Sequence, residues 1–368
     1  MWRMWRYPFL ALPVAVPTGL LALGLVLGTA SPPPQEAQQQ AQKKVRSHAA
    51  PRIRVPFGLA PFPAAELQRF RPEVAALGRQ LFFDPILSVD RKTSCGSCHQ
   101  PNHGFASPEK LPAGSLGKRA LRHAPSLLNR AYGKTFSWDG KTDSLEVQVL
   151  LPIENPNEMA LPLADALSRL AGDQNHARRF KELFGRAPQK ADLARALTSY
   201  VQTLLTGNSV IDRFHAGQDV DLEVAEKAGM WIFESKGGCW KCHSGANFTD
   251  EGFHNTGIGV REGKALPGRG GVTGKDADWG GFKTPTLRGL PRTAPYMHDG
   301  SLATLEEVVE FYRRGGNKNP GLDPKLKPLD LSDQEAGFLV AFLRALSRPS
   351  ERAEGKNPRQ QPRESTRR

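Results

Sequence analysis

Two stretches decide how this chain folds: "TSCGSCHQPNHGF" (residues 93–105) and "GGCWKCHSGANF" (residues 237–248), which between them hold all four cysteines. Each reads C-x-x-C followed at once by histidine, as Cys95-Gly-Ser-Cys98-His99 and Cys239-Trp-Lys-Cys242-His243. Two disulfides are the default for four cysteines in an exported chain. A zinc ribbon also pairs C-x-x-C motifs, but more than a hundred residues separate these two, too many for a ribbon. C-x-x-C-H is instead the attachment signature of haem c. Two thiols three positions apart reach the two vinyl groups of one porphyrin, and the next residue brings an imidazole nitrogen to the iron. The spacing predicts two covalent haems c, one on Cys95 and Cys98 and one on Cys239 and Cys242, with His99 and His243 as iron ligands.

The opening segment, residues 1–30, has a cationic lead, an apolar run, and Gly28 and Ala30 before Ser31. That pattern is an export signal cleaved near Ala30, although the apolar run is long enough to stay as an uncleaved anchor. Either way the remainder is expected in the periplasm, touching membrane only if the segment is retained. Residues 31–55 are rich in Pro, Gln and Ala and read as a flexible linker. Residues 348–368 read as a disordered basic tail. Of the formal net charge of +13, the two ends carry most, so the folded body is close to neutral and nucleic acid is not an expected partner.

The haem motifs sit in a weak internal repeat. "ALGRQLFFD" (76–84) aligns with "KAGMWIFES" (227–235), pairing Gly78 with Gly229 and Phe82 with Phe233. Farther on, "ALTSYVQTLL" (196–205) aligns with "FLVAFLRALS" (338–347), pairing Tyr200 with Phe342 and Leu204 with Leu346. Helix, haem motif, long loops and closing helix is the plan of a cytochrome c unit used twice. The expected fold is mainly α, with two cytochrome c-like domains, residues 56–217 and 218–347, each binding one haem c. The long loops fit a domain whose core is largely its cofactor.

Two haems alone describe an electron carrier. An enzyme needs an open iron face with an acid–base group over it, and "FSWDGKTDSLEVQVLLPIENPNEM" (136–159) offers Trp138, Gln148, Pro152, Glu154 and Glu158. A carboxylate there would move a proton between the two oxygens of hydrogen peroxide.

Together "LFFDPILSVDRKTSCGSCH", "HGFASP", "APSLLNRAY", "WDGKTDSLEVQ", "PIENPNEM", "KTPTLRGL" and "APYMHDGSLATLEEVVEFYRRGG" resemble the bacterial di-haem cytochrome c peroxidases and their MauG-like relatives, over roughly residues 56–347. The resemblance implies that the haem on His99 binds peroxide and that the haem on His243 stores and passes electrons. It implies that Trp138 lies between the haems, that Glu158 is the distal acid–base, and that Gln148 and Pro152 line its pocket, while Glu154 matches no catalytic position. It further implies one calcium ion between the haems, held in part by carbonyls of Thr293 and Pro295. Where the family has an Asn side chain for that ion this chain has His123, and imidazole suits a hard cation poorly.

Three further departures bear on mechanism. The family's peroxidase branch caps the first iron with a second histidine, and the matching position here is Ser115. His103, only four residues past His99, is too close to reach the opposite face and is expected at the surface or near a propionate. The position that ligates the second haem is Met in the peroxidase branch and Tyr in the MauG-like branch, and here it is Tyr312. "TLEEVVEFY" starts with a capping box from Thr304 and Glu307, and Leu305, Val308 and Tyr312 share one face. Met297 and His298 lie nearby but match no ligand position. A surface Trp that MauG-like proteins use near the second motif is Gly237 here, and Trp231 and Trp240 do not match it.

The expected activity is reduction of hydrogen peroxide to water. Its electrons would come from a small donor protein (cytochrome c or cupredoxin), or from aromatic residues of a partner protein. The competing expectation is a di-haem electron-transfer cytochrome with no enzymatic role.

Overall fold

A computed structural model describes residues 53–349 of the chain. The expected export signal, most of the linker and nearly all of the tail lie outside those residues. Among the described residues no helix is long and apolar enough to cross a membrane.

The architecture is mainly helical, and its buried side chains form two clusters. The first unit carries α1 (Pro72–Phe83), α2 (Leu145–Gln148), α3 (Leu151–Glu154), α4 (Leu163–Gly172), α5 (Gln174–Phe184) and α6 (Lys190–Val201). The second carries α7 (Val210–His215), α8 (Val224–Glu234), α9 (Leu305–Arg313) and α10 (Asp333–Ala345). A two-residue antiparallel pair, β1 (Phe253–His254) and β2 (Phe282–Lys283), lies in the second unit.

The repeat seen in the sequence is a pair of helix crossings. In the first unit α1 crosses α6 at Gly78, where a Cβ would run into the Ala196 carbonyl. In the second α8 crosses α10 at Gly229, where a Cβ would run into the Phe338 carbonyl and meet Phe342. Only glycine permits either approach. One turn farther along, Phe82 meets Tyr200 with ring centroids 5.1 Å apart, and Phe233 meets Phe342 at 5.0 Å. These aromatic pairs are the centres of the two cores, with Leu81, Ile153 and Leu197 around the first and Ile232, Leu339 and Leu346 around the second.

Three local expectations are corrected. Val210 and Ile211 already belong to the second cluster, so the division expected after Gly217 falls too late. Arg348, expected to open the tail, is tied into the body. Its Nε donates to the buried Glu226 carboxylate at 3.0 Å, and Pro349 bridges Ser209. At the start of α9, Thr304 Oγ1 accepts from the Glu307 N–H at 3.1 Å, but the Glu307 carboxylate accepts from Ala303, not from Thr304. The cap is therefore one-sided and displaced by a residue.

The units are joined by buried polar contacts. Arg130 donates to Glu251 at 2.7 Å, and Asn129 Nδ2 donates to Asn247 Oδ1 at 3.0 Å. Backbone bonds join His123 to His298 at 2.9 Å and Lys283 to Trp138 at 2.8 Å. The segment around Phe57 straps both units: its carbonyl accepts from Asn208, the Gly58 carbonyl accepts from Arg288, and Ala60 accepts from Tyr132.

Candidate active site

The two tether loops share one geometry. His99 Nδ1 lies 3.0 Å from the Phe105 carbonyl oxygen, and His243 Nδ1 lies 3.0 Å from that of Phe248. A carbonyl only accepts, so each Nδ1 carries the proton and each Nε2 keeps its lone pair free for iron. Phe105 and Phe248 both have left-handed backbones, φ 57° and φ 49°, a conformation that costs an L residue about 1–2 kcal/mol. The local strain turns each carbonyl onto its imidazole. Burial lowers the pKa of His99 to about 4 and lowers that of His243 too, so both rings are neutral donors.

The four thiols form no disulfide. Burial pushes Cys95 and Cys239 up to about 12 and Cys98 up to about 11. Donor set and loop geometry fit a haem c at each motif.

A cavity of about 270 Å³ opens beside the second motif, lined by Cys239, Cys242, His243, Ile258, Leu343 and the α9 face of Leu305, Val308 and Tyr312. That face is the one expected from the sequence. Burial raises the pKa of the Tyr312 phenol, so its oxygen loses the proton only to a strong cation. Such a cation is what an iron ligand would meet. Trp138, Thr293, Pro295, Met297 and His298 border the same cavity. Trp138 Nε1 donates to the His123 carbonyl at 2.8 Å, and its ring meets His298 edge-on at 6.3 Å. Trp138 thus stands where the two units touch.

Glu158 lies beside the first motif in a tight loop closed by Met159 N–H on the Pro152 carbonyl at 3.2 Å. Burial raises its pKa, opposed by Asn155 Nδ2, which donates to Oε1 at 2.6 Å. Ser115, at the position of the family's capping histidine, is buried. Its N–H donates to the Glu158 carbonyl at 2.6 Å and its hydroxyl to Asp90 at 3.1 Å. Gln148 accepts from Ser137 at 2.8 Å, which fixes it next to Trp138. Glu154 is exposed and caps the chain at Leu163, a structural role. His103 sits half-buried on the turn Pro101–His103. Trp231 and Trp240 are exposed, at 67% and 49%.

A second repeat escaped the sequence reading. "FSWDGKTDSLEVQVLLP" (136–152) matches "YMHDGSLATLEEVVEFY" (296–312) without a gap. The structure gives both the same turn: Phe136 bridges Thr142 and Tyr296 bridges Leu302, with left-handed Ser137 and Gly140 matching Met297 and Gly300. In that register Trp138 corresponds to His298, Gln148 to Val308, and Pro152 to Tyr312. The place that holds a phenol at the second haem holds a proline, with no donor atom, at the first.

His123, at the first of the expected calcium positions, does not fit that ion. His123 is buried with Nδ1 on the Glu109 carbonyl at 3.1 Å, leaving only an imidazole nitrogen to offer a hard cation. Sequence reading also missed a half-buried cluster at the second tether, where His254 lies between Asp250 and Asp323.

The fold and its two tether loops define a c-type cytochrome with two covalent haems. Residues 72–220 match the family model of the di-haem cytochrome c peroxidases. The chain is 38% identical over 288 residues to the methylamine utilization protein MauG of Methylorubrum extorquens, covering 77% of this chain and 81% of that protein. It is 32% identical to the cytochrome c551 peroxidase of Nitrosomonas europaea, covering 77% and 84%. A solved MauG-like protein associated with microbial copper homeostasis superposes with a TM-score of 0.71 at 29% identity, covering 82% of this chain and 95% of that one. The chain belongs to the di-haem cytochrome c peroxidase family, and it is an oxidoreductase acting on peroxide, not a simple electron carrier.

Proposed function

We propose that this protein reduces hydrogen peroxide to water at its first haem pocket, on the face opposite His99, in the resting oxidised state and without prior activation. The observation that carries this reading is the register placing Pro152 where the second pocket has Tyr312. With Ser115 buried and held by Asp90 and Glu158, neither known capping position supplies a ligand atom. When bound, haem iron supplies the electrons that break the O–O bond. Glu158 would take the proton from one peroxide oxygen and return it to the other, so that peroxide, two electrons and two protons become two waters. Asn155 aims the carboxylate, and Gln148, held by Ser137, limits the space beside it.

Electrons pass through Trp138 from the second haem, which His243 and Tyr312 would hold. Their source is a small redox protein (a cytochrome c or a cupredoxin), or aromatic side chains of a partner protein. The Tyr at 312 favours the second source, since a phenolate stabilises oxidised iron. Export to the periplasm agrees with the leader-like first segment. No step depends on calcium.

The test is addition of stoichiometric peroxide to the diferric two-haem protein. Immediate change in the haem spectrum is expected. A change that occurs only after one haem has been reduced would overturn the open-pocket reading.

A further inference from the structure

We propose that His254, clamped between Asp250 and Asp323, sets the charge beside the second haem's tether and so fixes that haem's reduction potential relative to the first. The inference rests on reading Cys239 and Cys242 as the second haem's tether.

The cluster is built by three segments. β1 presents His254, the loop leaving the second motif presents Asp250, and the loop pinned by Asp323 N–H on the Asn255 carbonyl presents Asp323. His254 Nε2 lies 2.9 Å from Asp250 Oδ2, and Nδ1 lies 2.6 Å from Asp323 Oδ2. Ionised carboxylates only accept, so both ring nitrogens carry protons and the ring is an imidazolium. One cation between two anions leaves a net charge of about −1, in a site whose three side chains are largely shielded from solvent. The pKa of His254 is raised, by hydrogen bonding to the Cys242 sulfur first and, against its burial, by the two carboxylates. The carboxylate share persists once that sulfur is a thioether.

The cluster touches the tether itself. Asp250 N–H donates to the Cys242 carbonyl at 2.8 Å, and the Cys242 sulfur lies within 4.8 Å of the ligand atoms of Asp250 and His254. The first tether lacks this triad, its nearby charges being the carboxylates of Glu158 and Glu109 with no clamped imidazole between them. Aligning Phe105 with Phe248 puts Ser107 at the place of Asp250, and Ser107 Oγ only accepts from the Glu109 N–H. The asymmetry therefore distinguishes two otherwise equivalent haem loops. A negative charge near an iron favours its oxidised form, so the cluster holds the second haem lower in potential than a neutral surrounding would.

The test is a redox titration of the two-haem protein between pH 6 and 8, following the second haem's low-spin signal, with the first haem as internal reference. H254Q removes the cation and should lower the second haem's potential at pH 8. D323N removes an anion and should raise it at pH 6, where an imidazole keeping one carboxylate partner stays charged. Shifts of opposite sign support the proposal. No shift, or shifts of the same sign, would overturn it, because a merely structural role would not move the two variants apart. If H254Q fails to accumulate with two haems, the upward shift in D323N still decides. Intact mass with two porphyrins checks the tether reading separately.

Discussion

Replacing Glu158 with glutamine tests the proposed chemistry with little disturbance to the fold. The side chain keeps its length and its Oε1, so Asn155 Nδ2 can still donate at the same place. The bonds that close the loop, from Met159 to Pro152 and from Ser115 to Glu158, use backbone atoms and survive. What is lost is the ability to carry a proton. Acid–base catalysis of this kind contributes roughly 10²–10⁴-fold, or about 3–5 kcal/mol of barrier at ~1.36 kcal/mol per decade. Stopped-flow mixing of the diferric protein with peroxide should therefore show Glu158→Gln slower by two to four decades (about that range). The pH profile gives a second signature. Burial favours the neutral carboxyl, so its pKa lies above the ordinary carboxylate range and the base form appears only as pH rises through that raised value. The wild-type rate should climb with pH there, and the variant should lose that limb. The same sign applies to stability: the buried neutral carboxyl favours the fold at low pH, and this is lost as pH rises through the folded pKa. A Gln variant that reacts as fast as wild type, or keeps the limb, would refute the assignment.

Three other outcomes follow from the geometry. Gly229→Ala drives a methyl into the Phe338 carbonyl at the crossing of α8 and α10 and should cost about 1–3 kcal/mol; an unchanged thermal midpoint would mean the crossing is loose. Tyr312→Phe removes the phenol oxygen that α9 presents to the cavity beside the second motif. The second haem's ligand signature in the ferric electron paramagnetic resonance spectrum should change while both porphyrins stay attached, and an unchanged spectrum would assign the ligand elsewhere. Treatment with EGTA should leave the peroxide rate unaltered, since His123 occupies the expected calcium position; a tenfold loss would show that carbonyls alone hold the ion.

The helices and haem loops were legible because their signals are local and paired. Gly78 and Phe82 recur as Gly229 and Phe233 on one helix face, and close packing leaves no other residue at the crossing. The boundaries were less so. Nothing in "RALSRPSERAEG" distinguishes Arg348 from the arginines beyond it, because its role depends on Glu226, far away in sequence and buried. Likewise, His254 looks like an ordinary strand residue until Asp323 is brought back against it.

The match of Pro152 to Tyr312 failed to appear for a different reason. It was present in the sequence, yet the shift that carries His99 onto His243 does not carry Trp138 onto His298. The second unit has extra residues between its motif and its turn, in the loop containing "REGKALPGRGGVTGKDADWGG", so a repeat found from the cysteines loses register before the turn. That insertion tells which part of each unit can vary. The two turns are held against each other where Trp138 meets His298. The connecting loop is held by bonds within itself, such as Arg269 N–H on the Gly281 carbonyl, and by Arg269 Nη1, which donates to the Gly140 carbonyl of the first turn at 2.6 Å. A duplicated unit can therefore carry a phenol at this place in one copy and a proline in the other without altering the helix pair that supports it. Such a difference would leave one haem closed and make the other an open peroxide site.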